Sequence, residues 1–180
     1  MSMVTGARQV LTETFDPAES LALVEQERAT ILHGFDLHFK ELMEAHERFP
    51  RDVSSVRTGI LATGMSSSVP IAQKARRVLG RFLSGYGMSE FGVGAALSAL
   101  DSTEEQCTEA SGYPASGYEI RVIDAQSGRD QPPDVPGEIL VKSYMTMRGY
   151  YGKPAETAQA LDRDGWRSEE RRVGKECRSR

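Results

Sequence analysis

The first half of the chain alternates short apolar runs with amphipathic segments. Asp16-Pro17-Ala18-Glu19 combines a helix N-cap, a proline at the first helical position and a glutamate three residues after the cap, and it predicts a helix running to about Arg28. Short apolar runs predict a buried strand at residues 30–33 and further strands at 58–62 and 81–84, and the segments between them predict helices at 36–46 and 68–79. Because helices and strands alternate, we expect parallel strands joined by right-handed crossovers.

The second half of the chain has the pattern of β-structure. Residues 118–124 alternate apolar and polar side chains, 126–128 carry a turn signal, and 138–142 return as a second strand, so a hairpin is predicted. A short last helix is predicted from Pro154 to Leu161. We therefore expect an α/β fold in which a parallel α/β subdomain, residues 1–100, precedes a β-hairpin-rich, barrel-like subdomain, residues 101–166.

Three glycines follow the predicted strands of the first half. They are Gly34, Gly64 and Gly85, and each comes where a strand of the expected parallel sheet ends. Ligands of open α/β sheets bind beyond the carboxyl ends of the strands. The sequence therefore predicts a pocket at this edge of the sheet.

The segment from Ser84 to Glu90 carries side chains that suit a nucleotide. A tyrosine ring can stack on a purine, glycines allow backbone N–H groups to approach a phosphate, a serine hydroxyl can donate to a phosphate oxygen, and a glutamate can hold Mg²⁺. Gly-Tyr-Gly also occurs in strand-turn segments for purely conformational reasons. The segment alone does not decide between these interpretations.

Four further motifs follow in a fixed order. They are Gly137-Glu138-Ile139-Leu140-Val141-Lys142-Ser143, Arg148-Gly149-Tyr150-Tyr151, Lys153-Pro154-Ala155-Glu156-Thr157 and Asp164-Gly165-Trp166. Together with the Ser84 to Glu90 segment, this ordered set resembles the adenylate-forming (AMP-binding) superfamily and, within it, the acyl-CoA synthetases. The resemblance covers residues 3–166 and implies that the chain is part of the large N-terminal domain of such an enzyme.

The resemblance implies a role for each site residue. Tyr86 would stack on adenine, Ser89 would contact phosphate and Glu90 would hold the Mg²⁺ that bridges the ATP phosphates. His33, Gly34 and Phe35 would lie on the acyl side, although a catalytic His33 is not expected, because a lone histidine at a strand end is more often simply hydrogen-bonded. The full set of implied nucleotide-binding residues is Gly64, Met65, Gly85, Tyr86, Gly87, Met88 and Ser89.

The implied reaction uses ATP, Mg²⁺ and coenzyme A. The parent enzyme would activate a carboxylic acid, expected to be a fatty acid, to acyl-AMP and then transfer the acyl group to the thiol of coenzyme A. Two alternatives are an amino-acid-adenylating module that loads a carrier protein and a non-catalytic nucleotide-binding module. The family's glycine-rich phosphate loop and its C-terminal domain with a contacting lysine do not occur in the chain. We therefore expect a fragment, truncated at both ends, that is inactive by itself.

The residues after Trp166 depart from the family pattern. The family continues with Thr-Gly-Asp, whereas this chain has Arg167-Ser168-Glu169-Glu170. Residues 167–180 resemble the translation of a common DNA-sequencing adapter, so we expect them not to belong to the natural protein. A solvated basic tail and a nucleic-acid-binding patch are the less favoured interpretations.

Composition narrows the functional class. The net charge is −4. Residues 167–180 contribute six basic and three acidic residues, so the rest carries 16 basic and 23 acidic residues and a charge of −7. An acidic body argues against a nucleic-acid partner. No apolar stretch approaches the roughly 20 residues of a transmembrane helix, and Cys107 is the only cysteine before the tail. We expect a cytoplasmic protein without a transmembrane segment.

Overall fold

The computed structural model describes residues 2–62 and 66–173. The chain divides into two compact units, which are described separately. The first unit comprises residues 1–61 and 70–82, and the second comprises residues 62–69 and 83–180. The predicted subdomain boundary lay near residue 100, and residues 83–100 group with the second unit.

The first part of the chain alternates helices and strands, as the hydrophobic pattern predicted. Its strands form a three-stranded sheet in the order β1-β2-β3. In chain order the elements are α1 (Ser2–Thr5), α2 (Pro17–Glu27), β1 (Gly34–Phe35), α3 (Asp36–Arg48), β2 (Thr58–Ala62), a 3₁₀ turn (Ser66–Ser68), α4 (Val69–Val78) and β3 (Arg81–Leu83).

Helix α2 begins where its cap signal predicted. The Asp16 carboxylate accepts the Glu19 backbone N–H at 2.7 Å, and Pro17 occupies the first helical position. Arg28 ends the helix in the left-handed conformation with φ 52°, and its N–H is donated back to the last turn. The prediction of a helix from Pro17 to about Arg28 is confirmed.

The core of the first unit is built from the apolar faces of α2, α3 and α4 together with β2 and β3. Phe39 is fully buried, and its ring meets that of Phe82 edge to face with 4.5 Å between centroids. The buried apolar residues of this core are Leu21, Val24, Phe39, Leu42, Met43, Ala45, Val56, Leu61, Ala72, Ala75, Leu79 and Phe82.

The predicted buried strand at residues 30–33 is wrong. Ile31 makes an isolated parallel bridge to Thr58 and is 50% exposed, and the two-residue strand β1 lies after it, at Gly34–Phe35. A short apolar run does not specify burial on both faces, and only part of this one contacts β2. The segment before β1 passes close to β2 at Gly59, where a Cβ would collide with the Leu32 carbonyl.

The second unit contains two three-stranded sheets, ordered β4-β5-β6 and β7-β8-β9. Both sheets are open within the described residues, so the barrel-like closure that we expected is not seen there. Its elements are β4 (Gly85–Met88), β5 (Gly92–Leu97), α5 (Glu104–Thr108), β6 (Tyr113–Pro114), β7 (Tyr118–Ile123), β8 (Gly137–Ser143), α6 (Pro154–Ala160) and β9 (Arg167–Val173).

The hairpin predicted for the second half is confirmed as β7 and β8. The strands are antiparallel, with Tyr118 opposite Ser143 and Ile123 opposite Glu138. The Asp124 carboxylate accepts the N–H groups of Gln126 and Ser127, which folds the start of the connection. Helix α6 was also predicted, and it ends at Ala160.

Strand β9 was not predicted. Residues 167–173 pair with β8 in antiparallel register, from Val141 opposite Arg167 to Gly137 opposite Val173. The interpretation of residues 167–180 as adapter sequence concerns their origin and stays a prediction. No helix in residues 2–62 and 66–173 combines the length and the apolar character needed to cross a membrane.

Candidate nucleotide and metal site

The hairpin of β4 and β5 presents the Ser84 to Glu90 segment. Tyr86 lies opposite Ala96, and Met88 lies opposite Gly92, so residues 89–91 form the turn between the strands. Tyr86 therefore lies within a strand, whereas the strand predicted from the sequence ended at residue 84. Ser89 and Glu90 follow at the tip of the hairpin, where Ser89 is exposed.

Gly87 is required by the packing of this hairpin. A Cβ at this position would lie 2.5 Å from the carbonyl carbon of Val93 and 2.6 Å from the Gly92 oxygen. The register is also irregular between Tyr86 and Met88. The glycines of this segment were expected to let backbone N–H groups approach a phosphate, and the close approach of β5 is a separate reason for Gly87. Gly85 is buried in the same strand.

Tyr86 packs beside the core of the second unit. It is half-buried, and its ring is tilted by 45° to that of Phe91, with 5.8 Å between the centroids. Phe91 is fully buried together with Ala95 and Val141. Met88 packs against the same cluster. The tyrosine ring is thus held in position by apolar packing.

The Glu90 side chain is held by a tyrosine that lies 60 residues further along the chain. The Tyr150 hydroxyl donates to Glu90 Oε1 at 2.9 Å, and the Glu90 side chain is only 18% exposed. The backbone of Glu90 is also fixed, because its carbonyl accepts the Met147 N–H at 2.6 Å. Both contacts come from the segment that follows β8.

The turn that carries Glu90 is anchored a second time. The Tyr118 hydroxyl donates to the Phe91 carbonyl at 2.7 Å, and the Phe91 N–H is donated to the Met88 carbonyl at 3.3 Å. Gly92 follows with φ +88°, a conformation that L side chains rarely adopt. The hairpin tip is therefore attached through its backbone to β7.

Tyr150 is itself held by the start of α6. Its backbone N–H is donated to Thr157 Oγ1 at 2.9 Å, and the Thr157 hydroxyl is donated to the Lys153 carbonyl at 2.8 Å. Gly149 has φ +146°, and a Cβ there would lie 2.7 Å from Thr157 Cγ2. This contact accounts for the glycine in Arg148-Gly149-Tyr150-Tyr151.

Sequence reasoning missed the residues that hold the hairpin tip. Tyr150 belongs to one of the motifs that carry the family resemblance, so the sequence marked this residue. It did not predict the contact of Tyr150 with Glu90. Tyr118 had no local signal beyond its place in an alternating strand. A hydrogen bond across 60 residues, such as that of Tyr150 with Glu90, follows only from the tertiary fold.

The residues predicted for the acyl side lie in the first unit. His33 is exposed, and its Nδ1 accepts the Ile60 N–H at 3.1 Å, so the imidazole has the structural hydrogen bond that the sequence analysis favoured. Phe35 is 63% exposed, and its N–H is donated to His38 Nδ1 at 3.1 Å. A Cβ on Gly34 would meet the Phe39 ring at 3.1 Å. Gly64 and Met65 lie outside the described residues.

The oxygen ligands at the hairpin tip fit Mg²⁺ bound together with a phosphate. Mg²⁺ takes oxygen ligands and is commonly held by one or two carboxylates plus substrate phosphates. Glu90 supplies one oriented carboxylate. Across residues 2–62 and 66–173 there is no cluster of three or more His, Cys, Asp or Glu that could hold a metal ion. Glu90 is thus the one oriented carboxylate that the tip of this hairpin supplies.

Arg167 faces the same carboxylate in this chain. Its Nη2 lies 3.7 Å from Glu90 Oε1 and 3.3 Å from the Tyr150 hydroxyl. Its side chain is 8% exposed, and Nε and Nη1 are buried without a hydrogen-bond partner in the described structure. Leaving such donors unpaired is costly. The guanidinium would compete with a cation for Glu90.

Comparisons with known proteins agree on one family. A model of the AMP-binding enzyme family matches residues 1–151. Medium-chain fatty-acid–CoA ligase from Escherichia coli (strain K12) is 34% identical over 161 residues, which cover 89% of this chain and 28% of the ligase. Feruloyl-CoA synthase from Amycolatopsis sp is 37% identical over 169 residues, covering 92% of this chain and 33% of the synthase.

A solved structure agrees with these relatives. The amide bond synthetase McbA from Marinactinospora thermotolerans superimposes with a TM-score of 0.72 and 32% identity, covering 88% of this chain and 32% of the synthetase. The chain thus spans about a third of the length of the proteins that it matches. Since the family match spans most of the chain and includes the hairpin that presents Glu90, the chain belongs to the AMP-binding enzymes of the adenylate-forming superfamily, whose relatives here are acyl-CoA ligases.

Proposed function

We propose that this chain is part of an AMP-forming acyl-CoA synthetase. The enzyme uses Mg²⁺·ATP to convert a carboxylic acid to acyl-AMP and pyrophosphate, and the thiol of coenzyme A then displaces AMP to give acyl-CoA. The observation that carries the proposal is the Glu90 carboxylate, oriented by Tyr150 at the tip of the β4–β5 hairpin, one residue after an exposed serine. Two relatives that are CoA ligases or synthases, at 34% and 37% identity, support the same reaction.

Each predicted site residue has a place in this proposal. Tyr86 stacks on adenine, Ser89 donates to a phosphate oxygen, and Glu90 holds Mg²⁺. The remaining nucleotide contacts are assigned to the backbone of the hairpin and to the segment before α4, namely Gly85, Gly87, Met88, Gly64 and Met65. His33, Gly34 and Phe35 line the acyl side.

The chemistry of the first step is charge neutralisation. Mg²⁺, when bound, reduces the negative charge on the phosphates that the attacking carboxylate must approach. The residues of this chain contribute by position: Tyr150 fixes one oxygen of Glu90, and packing against Phe91 fixes Tyr86. Because the Glu90 and Tyr86 side chains are already positioned before the substrate binds, little reorganisation is needed during the reaction.

The acid substrate is proposed to be a fatty acid or an arylpropenoic acid. Support comes from the names of two relatives, a medium-chain fatty-acid ligase and a feruloyl-CoA synthase. The exposed Phe35 ring offers an apolar surface in the region assigned to the acid. We further propose that the enzyme works in the cytoplasm, where the buried thiol of Cys107 would stay reduced.

An amine is the second candidate for the acyl acceptor. An amide bond synthetase is 32% identical over 88% of this chain, which is close to the identity of the CoA ligases. Adenylation would be common to both functions, and only the second step would differ. Supplying the full-length protein with acyl-AMP and either coenzyme A or an amine, and measuring thioester and amide by mass spectrometry, distinguishes them.

The proposal is tested in the full-length protein whose reading frame contains this segment. Acid-dependent exchange of labelled pyrophosphate into ATP measures the first step. We expect exchange that falls about 100-fold in Glu90→Gln, because a neutral amide replaces the metal-binding carboxylate. Glu119→Gln, an exposed carboxylate on β7, is the matched control and should keep full exchange.

The chain of 180 residues is expected not to catalyse exchange by itself, since it spans about a third of its relatives. Exchange by this chain alone would contradict that expectation. Absence of acid-dependent exchange in the full-length protein would overturn the proposed function.

A further inference from the structure

We propose that Tyr150 is a positioning residue for Glu90, and that its hydroxyl sets the carboxylate in the orientation that receives Mg²⁺·ATP. The inference rests on the proposed function and adds to it a residue that does not itself touch the metal or the nucleotide. It is carried by the hydrogen bond from the Tyr150 hydroxyl to Glu90 Oε1, at 2.9 Å.

The hydrogen bond leaves the carboxylate able to bind a cation. An ionised carboxylate has two oxygens and about four lone-pair sites. A phenol hydroxyl donates only one hydrogen, so it restricts the Glu90 rotamer and leaves other lone pairs. In this chain the Arg167 guanidinium, 3.7 Å from Oε1, competes with a cation for them. A metal-binding carboxylate that is already oriented does not lose this rotational freedom when the metal arrives.

Tyr150 is suited to this task because its own position is fixed. Thr157 accepts the Tyr150 N–H, and the Thr157 hydroxyl is donated to the Lys153 carbonyl at the start of α6. Gly149 allows the chain to pass against the Thr157 side chain. Helix α6 therefore positions the Tyr150 hydroxyl, because Thr157 in this helix holds the Tyr150 backbone.

A second tyrosine shows what a purely structural contact at the same turn looks like. Tyr118 donates its hydroxyl to the Phe91 carbonyl at 2.7 Å, one residue from Glu90, and within the described structure it makes no hydrogen bond to the carboxylate side chain. Both tyrosines are half-buried and both stabilise the hairpin tip. Tyr118→Phe is therefore the control for Tyr150→Phe, since each substitution deletes one hydroxyl and its hydrogen bond to the same turn. In this chain Tyr150→Phe also removes the acceptor of Arg167 Nη2.

The first experiment measures metal binding directly in the full-length protein. ATP affinity is determined by calorimetry with and without Mg²⁺, and the ratio of the two affinities is the Mg²⁺-dependent gain. We expect Tyr150→Phe to reduce this gain about tenfold and to leave the affinity for metal-free ATP unchanged. Tyr118→Phe should leave the gain unchanged. A Tyr150→Phe protein with the full gain would overturn the inference.

The second experiment asks whether Tyr150 acts through Glu90. In a double-mutant cycle, Tyr150→Phe should have no further effect on the Mg²⁺-dependent gain once Glu90→Gln is present. Equal losses in the presence and absence of Glu90→Gln would show that Tyr150 acts independently of the carboxylate, and this would overturn the inference.

A third pair of variants covers the case in which Tyr150→Phe does not fold. Thr157→Val removes the acceptor of the Tyr150 N–H with little change in shape, whereas Thr157→Ser keeps the hydroxyl. We expect Thr157→Val to lower the Mg²⁺-dependent gain and Thr157→Ser to retain it. Equal values for the two would count against the inference.

Failure of the proposed function is distinguished by the unmodified protein. If it shows neither acid-dependent pyrophosphate exchange nor a Mg²⁺-dependent gain, both the function and the inference fall. If it shows both and Tyr150→Phe matches it, only the inference is overturned.

Discussion

The Cα of Gly87 faces the backbone of Val93 so closely that a Cβ would lie 2.5 Å from the Val93 carbonyl carbon. Strands β4 and β5 can therefore approach only while residue 87 lacks a side chain. We expect Gly87→Ala to lower the free energy of unfolding by about 2 kcal/mol, since backbone atoms on the partner strand cannot move aside as a flexible side chain would.

The matched control for this substitution is Gly94→Ala in β5. A Cβ at Gly94 would meet no atom within 4 Å, and its φ is not in the left-handed region. Its urea midpoint should be unchanged or slightly higher, because alanine restricts the unfolded chain. Equal midpoints for the two variants would contradict the close packing of the hairpin.

The cap of helix α2 gives a second prediction. Asp16 accepts the Glu19 N–H at 2.7 Å and satisfies one of the donors that a helix start leaves unpaired. Asp16→Ala should cost about 1 kcal/mol, measured by urea denaturation followed by circular dichroism. Asp16→Asn keeps a side-chain acceptor and should lose much less. A full loss with asparagine would show that the carboxylate charge matters more than the hydrogen bond.

Local signals explain which elements the sequence predicted correctly. Asp16-Pro17-Ala18-Glu19 encodes its helix within four residues, and the alternation at residues 118–124 encodes a strand with one buried face. Strand β5 was missed because Gly92-Val93-Gly94-Ala95 has neither alternation nor bulky β-branched residues in series. It forms because Gly87 and the turn at Glu90 bring it against β4.

In the candidate site, too, the residues of a local motif were predicted and the distant residues that hold them were not. Tyr86, Ser89 and Glu90 are contiguous, so their motif is visible in the sequence. The Glu90 carboxylate is oriented by Tyr150, whereas Tyr118 and Met147 hold only the backbone of its turn. The spacing of apolar residues and the turn residues do not predict these contacts, since each contact depends on how segments distant in the sequence pack together.

The origin of residues 167–180 gives a third prediction. Arg167 is buried beside Glu90 with two guanidinium nitrogens, Nε and Nη1, unpaired among the described residues, which is unusual for a residue selected together with its surroundings. We expect genomic DNA read past the Trp166 codon to encode Thr-Gly-Asp within the next few codons. Finding codons for Arg167 to Arg180 in the genome would show that these residues are native.

The pH dependence of the first unit follows from a cluster that joins the end of α2 to residues 51–54. The pKa of Asp52 is lowered by hydrogen bonds from Ser54 and by the nearby Arg28 guanidinium, 3.0 Å away. The pKa of Glu25 is lowered first by the Asp52 N–H, donated at 2.7 Å, and then by Arg51. Both carboxylates are therefore more acidic in the folded chain than in the unfolded one.

This difference fixes the sign of the effect. A carboxyl with a lowered folded pKa binds protons more readily when unfolded, so its contribution is present above the unfolded pKa and is lost as the pH falls through the folded value. The urea midpoint should stay level from neutral pH to about pH 5 and decline below about pH 4. Because both groups are exposed to solvent, the decline should weaken in high salt.

Asp52→Asn should have a lower urea midpoint at neutral pH and a shallower decline of the midpoint in acid. Glu44→Gln, which changes an exposed carboxylate on α3, should keep the acid decline of the unmodified chain. If the urea midpoint of Asp52→Asn fell with pH as steeply as that of the unmodified chain, this cluster would be excluded as a source of the acid sensitivity.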